Sequence, residues 1–161
     1  MEQRIERARQ LLMEIHHVPI ATVNEDGTPH NSPVFMAFDE ELRGYWASHP
    51  HSLHSQNVMR DGNVFIVIFD SREGHGGLFM EGTAHMLSDE EDMRDALELL
   101  QDAKEELYGS MGDLSMYMGD SPQRLYRFIP SSAWVNQSDR NKDDVIIRDR
   151  RVEIELSDLT A

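Results

Sequence analysis

The chain has 161 residues, no cysteine, and 30 acidic against 15 basic residues, a formal charge of -15. That charge argues against partners held through a phosphate backbone or anionic lipid, and the lack of Cys excludes disulfides, thiolate nucleophiles and Cys-ligated metals. No apolar run approaches the roughly 20 residues of a membrane helix, and the start MEQRIERARQ is too charged for a signal peptide, so the expectation is one soluble, cytoplasmic domain over residues 1–161, with no nucleic-acid or membrane partner.

Ile5, Ala8, Leu11, Leu12 and Ile15 recur at three- and four-residue steps, the apolar stripe of a first helix. His16 and His17 close it, where a cation complements the dipole. Residues 18–23 are apolar and partly β-branched, a strand. Asn24-Glu-Asp-Gly27 then turns the chain, with Gly27 supplying a positive φ. The return strand runs from about Thr28 to Phe38. Pro33 lacks an N–H, so this strand is expected to be an edge or to bulge there. Asp39 to Gly44 is a second turn, and residues 45–48 are a third strand. Residues 52–60 read as a short helix with Ser52 as N-cap and Asp61-Gly62 as its stop. Val64-Phe-Ile-Val-Ile-Phe69 is a nearly unbroken apolar run, hence a buried strand. A loop over 71–77 leads to a fifth strand, 78–87. Ser88-Asp-Glu-Glu91 has capping-box spacing. Met93, Leu97, Leu100 and Leu107 mark the core face of a long helix, stopped by Gly109 and Gly112. Residues 125–129, 133–135 and 152–156 are the last strand candidates, and 136–143 reads as an exposed loop. Short turns between consecutive strands imply antiparallel pairing, and closure removes exposed edges. The pattern is that of a small antiparallel barrel with packed helices.

Three segments could carry chemistry. The first is Tyr45-Trp-Ala-Ser-His-Pro-His-Ser-Leu-His-Ser-Gln-Asn57, a strand end followed by a Ser-capped helix start. Unpartnered N–H groups and the helix dipole form an anion site there. Ser52 and Ser55 add hydroxyls and His54 a ring N–H, which suits a phosphate without lysine. The alternative is an ordinary cap facing water. His49, His51 and His54 invite a metal, but structural zinc usually takes four ligands, often including Cys. A solvated or capping role, or a polar contact to a ligand, remains open. The second segment is Pro29-His-Asn-Ser-Pro-Val-Phe35, whose free edge could hydrogen-bond a flat heterocycle or could simply be guarded by its Pro. The third is Gly76-Gly-Leu-Phe-Met-Glu-Gly82, where glycines permit close approach of a backbone or ligand or, the favoured reading, simply make the loop flexible. Trp134 is a core, interface or cofactor-wall aromatic. No Ser-His-Asp triad, Gly-x-Gly-x-x-Gly or Walker loop is present.

The ordered set of Ile20-Ala-Thr-Val23, Asp26-Gly-Thr-Pro29, Ser32-Pro-Val34, Tyr45-Trp-Ala-Ser48, His51-Ser-Leu-His-Ser-Gln-Asn57, Asp61-Gly-Asn-Val64, Met80-Glu-Gly-Thr-Ala84, Leu125-Tyr-Arg-Phe-Ile-Pro130 and Trp134-Val-Asn136 resembles the pyridoxamine 5'-phosphate oxidase-like family. The resemblance spans about Ile5 to Leu156. It implies a mostly β (α+β) fold, a six-stranded antiparallel split β-barrel with flanking helices. It also implies a homodimer with flavin mononucleotide (FMN) in clefts touched by both subunits. Some relatives use a deazaflavin or haem instead. By position, Ser52, Leu53, His54 and Ser55 would sit at the phosphate. Asn31, Ser32, Pro33 and Val34 would lie along the ribityl chain and isoalloxazine. Ala47 and Ser48 would line the same cleft beside His49, and Gln56 and Asn57 its floor. Trp134, or its neighbours Asn136 and Gln137, would come from the second subunit. The implied activity is an oxidoreductase of a small-molecule substrate, or else a non-catalytic flavin or haem carrier or sensor. His49 or His51 is the candidate proton donor. The vitamin-forming oxidases place Arg and Lys where Leu53 and His54 stand, and their second-strand cations fall on Ser32 and Ala37. Those departures put pyridoxine phosphate oxidation in doubt.

Overall fold

The computed structural model describes residues 1–72, 76–105 and 109–160. Helix α1 (Glu2–Glu14) leads into β1 (His17–Val23), β2 (Pro29–Phe38) and β3 (Gly44–Ser48). Then come α2 (Leu53–Arg60), β4 (Asn63–Ile68), β5 (Leu78–Met86), α3 (Glu90–Glu105), β6 (Arg124–Arg140) and β7 (Ile146–Ile154). The sheet order is β3-β2-β1-β4-β5-β6-β7, and β3 also pairs with β6. Six strands therefore close a ring, while β7 extends β6 as a hairpin. All pairings are antiparallel.

Period-2 alternation sorts the side chains. Val18, Ile20, Met36, Trp46, Ile66, Ile68, Met80, Tyr126 and Phe128 fill the interior together with Ala8, Leu11 and Leu12 of α1. Trp46 and Tyr126 stack across the closing seam, with ring centroids 5.3 Å apart. A second cluster lies outside the ring, where Met93, Ala96 and Leu100 of α3 cover Ala37, Tyr45 and Leu125. The 3-10 turn Leu114–Tyr117 adds Tyr117, whose hydroxyl donates to the Met111 carbonyl at 2.7 Å.

Several local readings shift. Gly27 does take a positive φ, 82°, and its N–H donates to the Asn24 carbonyl at 2.9 Å. His16 and His17 lie beyond α1 rather than capping it. His16 Nδ1 is 3.2 Å from the Met36 carbonyl, and His17 opens β1 opposite Phe35. The run 64–69 is buried on one face only: Val64, Ile66 and Ile68 point inward, whereas Phe65 and Val67 are half-buried. The cap of α3 is Asp89, whose carboxylate accepts the Glu91 and Asp92 N–H groups at 3.0 and 3.2 Å; Ser88 stands one residue too early. Residues 136–140, expected as loop, continue β6 and pair with β7. Leu107 and positions 73–75 of the expected 71–77 loop lie outside the described residues.

Strand β2 is in register with β1 from Pro29 to Phe35, with Pro33 opposite Pro19, but meets β3 only over Met36 to Phe38. The edge reading holds, and there is no bulge between β1 and β2. The sheet is open along residues 29–35.

Candidate functional site

The first turn of α2 gathers a neutral polar cluster. The chain leaves β3 at Ser48, turns through Pro50 and enters the helix with Ser52 at the N-cap in extended geometry. Ser52 does not cap with its side chain. Its hydroxyl donates instead to Ser55 Oγ at 2.8 Å and lies 3.2 Å from His54 Nε2. Ser48 Oγ is 2.7 Å from the same nitrogen. The first bond closing the helix runs from the Gln56 N–H to the Ser52 carbonyl at 3.0 Å. The N–H groups of residues 53–55 thus have no acceptor among the described residues, at the positive end of the helix dipole.

His54 and Ser55 are buried, whereas Leu53 is 45% exposed beside them. Burial, and secondarily the nearby His30, holds the His54 pKa below its ordinary value. The imidazole is therefore neutral at pH 7, with one nitrogen facing Ser48 and Ser52. The Tyr126 hydroxyl is buried beneath this turn, beside Ser55. Burial pushes its pKa up, so it stays a protonated donor. Opposite, His30 Nε2 is 2.9 Å from Ser32 Oγ on β2. His30 is the residue that sequence reasoning missed. It sits two positions before Ser32, so strand alternation puts both on the inner face of β2.

The expected site residues divide between surfaces. Ser32, Val34 and Ser48 share the inner face with the α2 cluster, and Val34 is buried in the core. Asn31 and Pro33 are exposed on the outer face. Ala47 and Ser48 point to opposite sides of β3, so one surface does not take both. Ala47 instead lines a cavity of about 250 Å³ with Phe35, Leu100, Lys104, Met111, Tyr117 and Gln123. His49 is bent back, its Nδ1 accepting the His51 N–H at 3.1 Å. Gln56 is exposed. Asn57 is buried and donates to Thr22 Oγ1 and Asn24 Oδ1, both at 2.9 Å, tying α2 to the β1–β2 turn. Arg60 adds bonds to Asn57 Oδ1 and the Val23 carbonyl. Trp134 lies on the outer face of β6, its ring 6.3 Å from that of Phe65, with Arg151 over neighbouring Phe79 at 4.0 Å. No three His, Asp or Glu side chains converge as a metal site among the described residues.

The open backbone edge of β2 has a definite polarity. Pro19 and Pro33 face each other and neither can donate, so theirs is a non-hydrogen-bonded pair. The Pro33 carbonyl therefore points to the open side, as do the N–H and C=O of Asn31 two residues earlier. A ring of strands opened along one segment, with a polar helix start beside the opening, defines the split-barrel class. The chain belongs to the pyridoxamine 5'-phosphate oxidase family, whose sequence profile matches residues 5–155.

Solved structures agree on the fold. A Clostridium acetobutylicum protein related to general stress protein 26 of B. subtilis, of the pyridoxinephosphate oxidase family, superposes with a TM-score of 0.64 at 15% identity, over 96% of this chain and 96% of its own. The haem storage protein HutZ from Vibrio cholerae gives 0.62 at 17% identity, over 76% and 87%. An F420 reductase gives 0.60 at 18% identity, over 78% and 94%. Comparison with curated proteins gives no match. No described helix is long and apolar enough to cross a membrane.

Proposed function

We propose that the chain is an FMN-binding homodimer that acts as an oxidoreductase on a small-molecule substrate in the cytoplasm. The observation that carries this reading is the uncapped start of α2. An N-cap serine normally satisfies the second or third N–H of its helix. Here Ser52 turns to Ser55, leaving those donors to an external acceptor. The residues present fit a phosphate: three backbone N–H groups without an acceptor, and no carboxylate in the cluster. FMN supplies hydride transfer when bound.

The chain's own part is orientation. The N–H groups of residues 53–55 hold the phosphate. Ser48 and Ser52 keep His54 in one ring orientation, and Asn57 fixes the helix against β1. The Asn31 N–H and the Asn31 and Pro33 carbonyls offer a donor and acceptors to the edge of a flat ring. Exposed Leu53 and half-buried Trp134 are apolar surfaces for a second subunit to cover. His49 and His51, exposed at the mouth, are the groups placed to pass a proton to substrate.

One observation favours a second reading, a non-catalytic flavin, deazaflavin or haem carrier. No Lys or Arg side chain bonds to the cluster around Ser52, and Arg124, across the strands from Ser48, is engaged by the carbonyls of Gly119, Ser121 and Gln123, so the hold on a dianion rests mainly on dipoles. The absorbance spectrum of the purified full chain separates flavin, haem and unliganded forms. Reduction of the bound flavin by a nicotinamide cofactor separates enzyme from carrier. In an FMN titration, Ser52→Asp is expected to weaken binding by more than about tenfold, since it places a carboxylate where the phosphate sits, a loss of at least about 1.4 kcal/mol. Unchanged affinity removes this site.

A further inference from the structure

A cavity of about 310 Å³ lies between the start of α1 and the far end of β6, away from the α2 cluster. It is lined by Gln3, Arg4, Arg7, Ala8, Leu11, Gly76, Gly77, Val135, Asn136, Ser138 and Arg140. In a chain of net charge -15 its described lining holds three arginines and no acidic side chain. Its floor is apolar, since Ala8, Leu11 and Val135 are each at most 3% exposed and belong to the barrel core.

The placement of the cations runs against local physics. Arg4 stands in the first turn of α1, where the dipole disfavours positive charge. Arg7 follows at i+3, so the two guanidiniums share a helix face, where like charges repel. Arg140 joins them from β6. Arg7 and Arg140 each have an acidic partner. Arg7 Nη2 is 3.8 Å from the buried Asp70 carboxylate. Arg140 donates to the Asp144 carbonyl at 2.7 Å and lies 3.3 Å from its carboxylate. The side chain of half-buried Arg4 has no hydrogen bond or ion pair among the described residues. A cation that opposes the helix dipole with no described side-chain partner, as Arg4 does, marks a functional position. Asn136, Ser138 and Gln3 add neutral donors, and the two glycines keep one wall free of side chains.

We propose that this cavity binds a small organic oxyanion, a carboxylate or phosphate monoester carried on an apolar body. The arginines take the head, and Ala8, Leu11 and Val135 take the body. The volume suits a ligand with a single ring.

Titrations of the ¹⁵N-labelled full chain followed by NMR test this, with benzoate, phenyl phosphate, benzyl alcohol and inorganic phosphate as probes. Saturable shifts at residues 3–8 and 135–140 are expected with benzoate or phenyl phosphate, and the tighter of the two identifies the head group. Benzyl alcohol and inorganic phosphate are expected to bind at least about tenfold more weakly, because each lacks one half of the recognition. Arg4→Gln combined with Arg140→Gln should weaken the organic anion about tenfold or more. Gln3→Glu separates binding from folding: an acid in the first turn favours the helix but repels the ligand, so thermal stability should hold or rise while affinity falls. Inorganic phosphate binding as tightly as the organic anions would reduce the cavity to an adventitious ion site. No saturable shift, affinity unchanged in both variants, or displacement of the probe by FMN would each overturn the proposal. Repeating the titration in excess FMN keeps the two sites distinguishable, since loss of one leaves the other's signal intact.

Discussion

His54 is the residue whose state reports most directly on the α2 site. Its pKa lies below the ordinary 6.5 because it is buried and, secondarily, because His30 faces it. A lowered imidazole pKa means that the unfolded chain takes up the proton first as pH falls. The stability this gives is present above about pH 6.5 and is lost as pH drops through the folded value. Replacing His30 by Asn removes the facing imidazole, so the His54 titration, followed by its ring Cε1–H signal, should move upward. No movement would mean that burial alone sets it. Gly82 tests a different residue-scale constraint. It sits at the register shift between β5 and β6. A Cβ there would overlap the Ile129 carbonyl oxygen and lie 2.8 Å from the Phe128 ring. Gly82→Ala is expected to destabilise the fold by about 1–3 kcal/mol in chemical denaturation, the range for forced overpacking. At both positions the chemistry was on view in the sequence while the neighbour was not: His30 and His54 are 24 positions apart, and Gly82 meets a carbonyl 47 residues on.

At the scale of elements, α2 is held where the barrel needs it by one buried amide. Asn57 ties it to Thr22 and Asn24, side chains of β1 and the following turn. Asn57→Ala strands the buried Thr22 hydroxyl and should cost about 1–3 kcal/mol of stability. FMN affinity should fall with it if the helix start is the phosphate site, a comparison that denaturation and flavin titration make together. The helix itself was legible from Ser52 and Asp61-Gly62. Its tie to β1 was not, because Asn is as much at home in a loop as in a buried bridge. Strand β2 was readable as an edge because proline cannot donate. Two elements were misread for physical reasons. Residues 136–139 are half-buried on both faces and Arg140 is exposed, so no burial period marks them as strand. Ser88 and Asp89 are both competent caps, and only the backbone path decides which one meets the helix N–H groups.

For the molecule as a whole, charge sets the terms. A subunit of charge -15 repels its copy, so the proposed dimer would have to form through burial rather than through opposite net charge. The half-buried Phe65, Phe79 and Trp134 on the outer sheet face supply apolar area for that. Raising salt from about 0.1 M to about 1 M shortens the screening length from about 10 Å to about 3 Å. Dimer association measured by sedimentation should therefore tighten with salt. Weakening would point instead to an interface of complementary charges.

The sequence by itself determined most of the secondary elements as far as β5, the antiparallel barrel, the family and the polar start of α2. These follow from periodicity, turn chemistry and capping, which act over a few residues. Only the tertiary structure decided which faces those residues present. It set Ala47 and Ser48 on opposite sides of one strand, brought His30 to His54, gave Asn57 to β1, and gathered Arg4, Arg7 and Arg140 around one cavity. Such meetings depend on strand register and ring closure, where a shift of one residue reverses every side chain.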